Sequence, residues 1–226
     1  MIGIIAAMQQ EADAFLALCE NVTQFSESPF TFYKATYQKQ DILLGLSGIG
    51  KVSAAAITSA LIINFRPDFI INIGSAGGLN PNLKVGDIVV ANQCAYHDFD
   101  VSAFGHEISF EKGWYVFKAN EDLLSKIKLG FEDIHVGPLV CGDQFVSSKD
   151  VFKVMVERFK GVLATDMEST AIAHVASLYH VPWVIARSIS DLVFDYDNHV
   201  SFDEFLVLAS QKSAHFVATL IEHLSK

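Results

Sequence analysis

A single α/β domain, its sheet largely parallel or mixed and covered by helices on both faces, is the fold this sequence predicts. Two observations carry that expectation: short β-branched apolar bursts alternate with longer stretches of helical period, and no repeat, low-complexity tract or linker interrupts the alternation. The third is size. At 226 residues the chain lies below the roughly 250–300 residues at which one core gives way to two, so residues 1–226 are expected to form one domain.

In chain order, Ile2–Ala6 reads as a buried strand and Gln9–Glu20 as an acidic amphipathic helix. Phe30–Tyr37 and Asp41–Ser47 read as strands joined by the polar turn Gln38-Lys39-Gln40. Val52–Phe65 is rich in Ala and Ile and helical, stopping before Arg66-Pro67. Asp68–Gly74 (DFIINIG) is a buried strand followed by the Gly-rich turn Ser75-Ala76-Gly77-Gly78, and Asp87–Tyr96 is a further strand. Phe99–Tyr115 shows no period and reads as a long loop. The alternation then resumes with helix Glu121–Leu129, strand Ile134–Cys141, helix Lys149–Phe159, strand Val162–Thr165 and helix Met167–Tyr179. Strand Trp183–Ile189 and a long helix Phe202–Leu224 complete the series.

Composition removes whole classes of function. Hydrophobic residues make up 51% and charged residues 19% of the chain, which excludes intrinsic disorder. A formal net charge of −10 argues against a nucleic-acid groove or an anionic membrane surface as partner. The cysteines Cys19, Cys94 and Cys141 are far apart and lack ligand spacing, so they are expected to be buried free thiols in a reducing compartment. The opening MIGIIAAMQQEAD lacks the basic start of a signal peptide, and no run approaches the roughly 18 apolar residues of a membrane span. A cytoplasmic protein is the expectation.

In open α/β sheets ligands bind beyond the carboxyl ends of the strands, so the polar residues just past each strand matter most. These are Glu11, the turn at Ser75–Gly78, Gly142-Asp143-Gln144-Phe145, Asp166-Met167-Glu168 and Ser190-Asp191. Converging carboxylates, a Gly-rich turn and an aromatic on one rim point to an enzyme. Each also has an ordinary structural reading. Glu11 is a first-turn acid favoured by the helix dipole. Thr165-Asp-Met-Glu168 fits a capping box with the acid at its third position, and Asp191 suits a strand-end turn.

Other motifs are weaker. Gly45-Leu-Ser-Gly-Ile-Gly50-Lys51 begins like a phosphate-binding loop, but Val52 stands where a metal-binding Ser or Thr is required, which rejects an NTPase. The turn at Ser75 could form a backbone nest. His97-Asp98-Phe99-Asp100 could in principle hold a metal, although a loop surface or interface is favoured. His174, His180, His215 and His223 fall in or at the ends of helices and read as structural. No metal site is expected.

Taken together, MIGIIAAMQQE, SGIGKV, INIGSAGGL, VGDIVV, YHDFDVSAFG, GDQF, DMESTAIAHV, VPWVIARSISD and SFDEF resemble the 5′-methylthioadenosine/S-adenosylhomocysteine nucleosidases of the purine nucleoside/uridine phosphorylase family. The resemblance runs in order from residue 2 to about residue 206. It implies a mixed, partly closed sheet, a homodimer, and cofactor-free hydrolysis of the N-glycosidic bond of adenine thionucleosides.

By that resemblance Asp191 is the general acid that protonates adenine N7, Glu168 accepts hydrogen bonds from the ribose 2′- and 3′-hydroxyls, and Glu11 orients the attacking water. Ser75, Gly77, Ser190 and Arg187 belong to the polar rim. Phe145 stacks on adenine and the backbone of Val146 reads its edge, while Met8, Ile49, Met167 and Phe202 line the ribose and alkylthio pocket. Val101 and Phe104 are implied to reach the neighbouring subunit's site, making Phe99–Tyr115 an interface. Asp166 stands where the family carries Glu, and His106 where it carries an aromatic. The segment LVFDYDNHVS between Asp191 and Phe202 is one residue longer than expected and is read as closing over the site.

The rival on the same fold is a phosphorylase, which must hold an anionic nucleophile, normally with Arg. Arg66, Arg158 and Arg187 are the only arginines, and QQEADAF after the first strand supplies Glu11 instead. A carboxylate there repels phosphate but can orient water, which favours hydrolysis. A non-catalytic nucleoside-binding module would lack one of Glu11, Glu168 or Asp191, and all are present. Which 5′-substituted adenine nucleoside is preferred, aminofutalosine included, stays open.

Overall fold

The computed structural model describes residues 1–27, 29–194 and 198–224. The chain runs β1 (Ile2–Ala6), α1 (Gln9–Leu16), β2 (Glu20–Glu27), β3 (Phe30–Tyr37), β4 (Gln40–Leu46), α2 (Lys51–Phe65), β5 (Phe69–Asn72), β6 (Ser75–Gly78) and β7 (Ile88–Tyr96). There follow β8 (Val116–Lys118), α3 (Glu121–Gly130), β9 (His135–Cys141), α4 (Lys149–Arg158), β10 (Ala164–Asp166), α5 (Ser169–Leu178), β11 (Trp183–Leu192) and α6 (Asn198–Leu224).

The 11 strands of the described residues join one sheet in the order β2-β3-β4-β1-β5-β11-β6-β10-β9-β7-β8, and β11 also pairs with β7. That extra pairing closes β11, β6, β10, β9 and β7 into a ring, while β2 to β5 fan out as an open sheet. The sheet is therefore mixed and partly closed. β11 belongs to both parts: Trp183–Ile185 pairs with β5, and Ala186–Leu192 pairs with β6 and β7.

Period-two alternation explains the two principal cores. Along β1, Ile2, Ile4 and Ala6 enter the core shared with Phe15 of α1 and Val217 and Ile221 of α6, whereas Ile5 enters the core of Ala54, Ile57 and Leu61 of α2. Every residue of β1 is buried, because helices cover both faces. Truncating Ile4 or Ile5 to Ala would cost about 2–5 kcal/mol.

The structure departs from the sequence reading at several elements. Ser75–Gly78 is not a turn but strand β6, parallel to β11 and antiparallel to β10. Strand β2, mostly exposed, pairs antiparallel with β3, and β8 pairs with β7 at the far edge. The long loop contains a single 3₁₀ turn at Ser102–Phe104. Cys94 and Cys141 are buried, but Cys19 is only partly so. His106 packs its ring 4.6 Å from that of Trp114. The expected closing segment after Asp191 includes residues 195–197, which lie outside the described residues. No helix among the described residues is long and apolar enough to cross a membrane.

Candidate active site

β1, β4, β5 and the first part of β11 run parallel, so their carboxyl ends share one edge. A cleft of about 330 Å³ opens there, lined by Met8, Glu11, Ile49, Ser75, Gly77, Phe145, Met167, Glu168, Ser190, Asp191 and Phe202, with Ala7, Ala76, Thr165 and Asp166 completing the wall. Val146 is buried in an adjoining recess that shares Phe145, Thr165 and Asp191 with the cleft.

Glu11 occupies the third position of α1, and both of its carboxylate oxygens are engaged. Oε2 accepts from the backbone N–H groups of Ala7 and Met8 at 3.0 and 3.1 Å, neutralising free amides at the helix start. Oε1 accepts from the Ser75 amide at 3.0 Å and its hydroxyl at 3.3 Å. The first-turn role and a place in the cleft are thus filled by one side chain.

Glu168 lies at the N-cap of α5 rather than at its third position, so the capping box read from Thr165 does not form. Asp166 performs the local capping: its Oδ1 accepts from the Ser169 amide at 3.2 Å and hydroxyl at 2.7 Å. Glu168 is freed to face the cleft, where its Oε1 accepts from Gly50 N–H at the start of α2 at 2.9 Å. Burial, then the negative charge of Asp166, push the Glu168 carboxyl up to about 7, against the opposing pull of Arg187 and the Gly50 amide.

Asp191 owes its position to an irregularity in β11. Ser188 and Ile189 pair with Ser75 and Ala76, but Asp191 pairs with Gly77, leaving Ser190 as the extra residue of a bulge. Regular alternation would send Ser190 and Asp191 to opposite faces; the bulge lets both line the cleft. The Ser190 hydroxyl donates to Asp191 Oδ1 at 2.8 Å, and Asp191 is only 1% exposed. A Cβ at Gly77 would stand 3.3 Å from Asp191 Oδ2, so glycine leaves that face open.

Arg187 corrects the sequence reading: it does not line the rim but lies 1% exposed beneath the floor. Nη1 donates to the Ile73 carbonyl at 2.8 Å and Nη2 to Asn72 Oδ1 at 2.6 Å. Nη2 also stands 2.6 Å from Asp166 Oδ2 and 3.7 Å from Glu168 Oε2. Asp166, although shorter than the Glu that the resemblance implies there, spans to the guanidinium. Burial works against the charge of Arg187, but the carboxylates Asp166, Glu168 and Glu11 outweigh it and hold its pKa above the usual range. Asn72 was missed from sequence, yet it was visible as the single polar residue inside the apolar run FIINIG.

Val101 and Phe104 do not line this chain's cleft; Phe104 is 82% exposed and Val101 borders a small pocket beside Tyr115. The rings of Phe145 and Phe202 meet edge to face with centroids 5.6 Å apart at the cleft mouth. Among the described residues no group of His, Cys, Asp and Glu is arranged to hold a metal ion.

The arrangement combines buried acids with a locked guanidinium, a cleft suited to a developing positive charge. The pattern of the phosphorylase superfamily matches residues 1–222. A 5′-methylthioadenosine/S-adenosylhomocysteine nucleosidase from Neisseria meningitidis, solved with methylthio-immucillin-A, is 38% identical over 98% of each chain, with a TM-score of 0.90. An S-adenosylhomocysteine nucleosidase from Streptococcus pyogenes, in complex with 5-methylthiotubericidin, is 32% identical over 99% of this chain and 96% of its own, with a TM-score of 0.92. The nucleosidase from Colwellia psychrerythraea in complex with adenine is 32% identical over 99% of this chain and 95% of its own, with a TM-score of 0.91.

Proposed function

The chain belongs to the phosphorylase superfamily, among its 5′-methylthioadenosine/S-adenosylhomocysteine nucleosidases, and from that premise we propose how its cleft performs the reaction. The enzyme is an N-glycosyl hydrolase that splits 5′-methylthioadenosine and S-adenosylhomocysteine into adenine and the thioribose product. One observation carries hydrolysis over phosphorolysis. Among the described residues, the ionisable side chains lining the cleft are Glu11, Asp166, Glu168 and Asp191, while Arg187 is tied below them. Such a cleft repels phosphate and stabilises an oxocarbenium-like sugar.

In this mechanism Asp191 donates a proton to adenine N7, and the Ser190 hydroxyl donates a hydrogen bond to its other oxygen as the carboxylate forms. The carbon–nitrogen bond then breaks with its electron pair passing to the base. Glu168 accepts hydrogen bonds from the ribose 2′- and 3′-hydroxyls. Glu11, shared with Ser75, aims a water at the anomeric carbon; the water keeps one proton in the hydroxyl product and passes the other to the Glu11 carboxylate. Phe145 covers the purine and the Val146 backbone reads its edge, with Gly77 leaving room beside the acid. Met8, Ile49, Met167 and Phe202 enclose the sugar and the alkylthio group. Arg187 keeps the acids in place from beneath.

The same reading extends to assembly and setting. The chain acts as a homodimer whose Val101 and Phe104 complete the neighbouring cleft. Phe104, 82% exposed and outside this chain's own cleft, supports this. It works in the cytoplasm, in methionine salvage and removal of a methyl-cycle by-product.

Purified protein given 5′-methylthioadenosine in phosphate-free buffer is expected to release free adenine. Strictly phosphate-dependent release, with a sugar 1-phosphate as product, would overturn the hydrolytic reading.

A further inference from the structure

Three sequence features left unused by the mechanism meet at one place: the lysine of the phosphate-loop-like run, the acid of His97-Asp98, and the acid two residues before Phe145. Lys51 Nζ stands 2.8 and 2.7 Å from the two carboxylate oxygens of Asp98 and 3.6 Å from Asp143 Oδ2. The Lys51 amide donates to Asp143 Oδ1 at 2.8 Å, and the Asp143 amide donates to Asp98 Oδ2 at 2.9 Å. These bonds form a closed circuit of three residues. Lys51 Nζ also lies 5.3 Å from the centroid of the Tyr96 ring.

The circuit joins elements that frame the cleft. Residues 142–148, which carry Phe145, connect β9 to α4 without regular structure, so tertiary contacts set their position. Asp143 anchors this segment to the first turn of α2. One residue earlier, the Gly50 amide holds Glu168. Gly50 has φ +99°, and a Cβ there would stand 3.2 Å from Asp143 Oδ1, so the backbone turn and the clamp fit one another. The start of α2 therefore grips the sugar-facing acid with one amide and the base-covering segment with the next. Burial disfavours the Lys51 charge, but Asp98 and then Asp143 outweigh it and raise its pKa. The lysine is held as a cation.

We propose that Lys51, clamped by Asp98 and Asp143, is a positioning residue for cleavage that fixes the Phe145 segment against the start of α2 and so sets affinity for the purine. This rests on the reading of Phe145 as the ring that covers adenine.

The test compares wild type, Lys51→Met and Lys51→Arg for turnover of 5′-methylthioadenosine, adenine binding by calorimetry, and thermal unfolding. Lys51→Met is expected to raise KM and the Kd for adenine about tenfold, as loss of a charge-assisted contact would, with kcat and Tm changed little. Lys51→Arg, which can still grip Asp98 with two N–H groups, is expected to restore both. Added salt should weaken adenine binding by the wild type more than by Lys51→Met. Should Lys51→Met fail to fold, Asp98→Asn, which removes the charge but keeps the shape, reads the same KM and Kd. Unchanged KM and adenine affinity in a folded variant overturn the proposal, as does a lowered Tm with KM intact. A wild type without turnover or adenine binding would remove the functional reading and this one with it; an active wild type with an indifferent Lys51→Met removes this one alone.

Discussion

Glu11 and Ser75, 64 positions apart in the chain, are joined by one carboxylate oxygen that accepts from both the amide and the hydroxyl of the serine. The other oxygen of Glu11 takes the amides of Ala7 and Met8. Hydrogen-bond donors thus face both oxygens of the carboxylate, and the carboxylate supplies an acceptor to each side.

Glu11→Gln turns one acceptor into an NH₂ facing amides that need an acceptor. The variant is expected to lose about 1–3 kcal/mol of stability from unpaired buried donors, and, on the role proposed for Glu11 at the water, turnover by about 10²–10⁴. Thermal melts and adenine release check the two effects separately.

Asp191→Asn preserves the shape of the side chain and removes the transferable proton. Turnover is expected to fall by about 10²–10⁴ while substrate affinity changes little. Near-normal turnover, measured by adenine release, would take the acid role from Asp191.

In the proposed mechanism Glu168 accepts ribose hydroxyls in its ionised form, and burial with the charge of Asp166 raises its carboxyl from 4.5 to about 7. The kcat/KM profile, which reports the free enzyme, is therefore expected to decline as pH falls through about 7, and Glu168→Gln to lack that limb. The stability contribution has the opposite slope. Between about 4.5 and 7 the folded chain keeps a proton the unfolded chain has released, so stability from this group is fullest below 4.5 and declines as pH rises to about 7. Melting curves of wild type and Glu168→Gln across that range test the sign.

Gly74 has φ +144°, and a Cβ there would collide with Arg187 Nη1 and sit 2.5 Å from Glu11 Oε1. Gly74→Ala is expected to cost about 2 kcal/mol or more, combining backbone strain with a displaced buried charge. Activity should fall further than for an alanine placed at Gly105, where nothing lies within 4 Å.

Much of this protein was legible in its sequence because the signals are local. Full burial of β1 follows from IGIIA, the end of α2 from Arg66-Pro67, and the rim acids from their places after strands. Strand β2 was not legible: ENVTQFSE is polar and mostly exposed, and it exists because β3 offers a pairing edge. Nor was the strand at SAGG, whose small residues carry no β pattern and are held by β10 and β11 on either side. In the site, Thr165-Asp-Met-Glu168 offered two acids for one helix start. Arg187 and Gly50 decided between them, the first pairing with Asp166 and the second donating to Glu168 from 118 positions away.

The periodicities, and hence the layered α/β plan, are written along the chain, together with the stock of acids available to the cleft. Which acid meets which donor, the place of Arg187 beneath the floor, and the bulge that brings Asp191 into the cleft come from the folded arrangement. Hydrogen bonds and ion pairs form over about 3–4 Å, and separations that small between distant residues are set by strand register and helix packing rather than by neighbours in the chain.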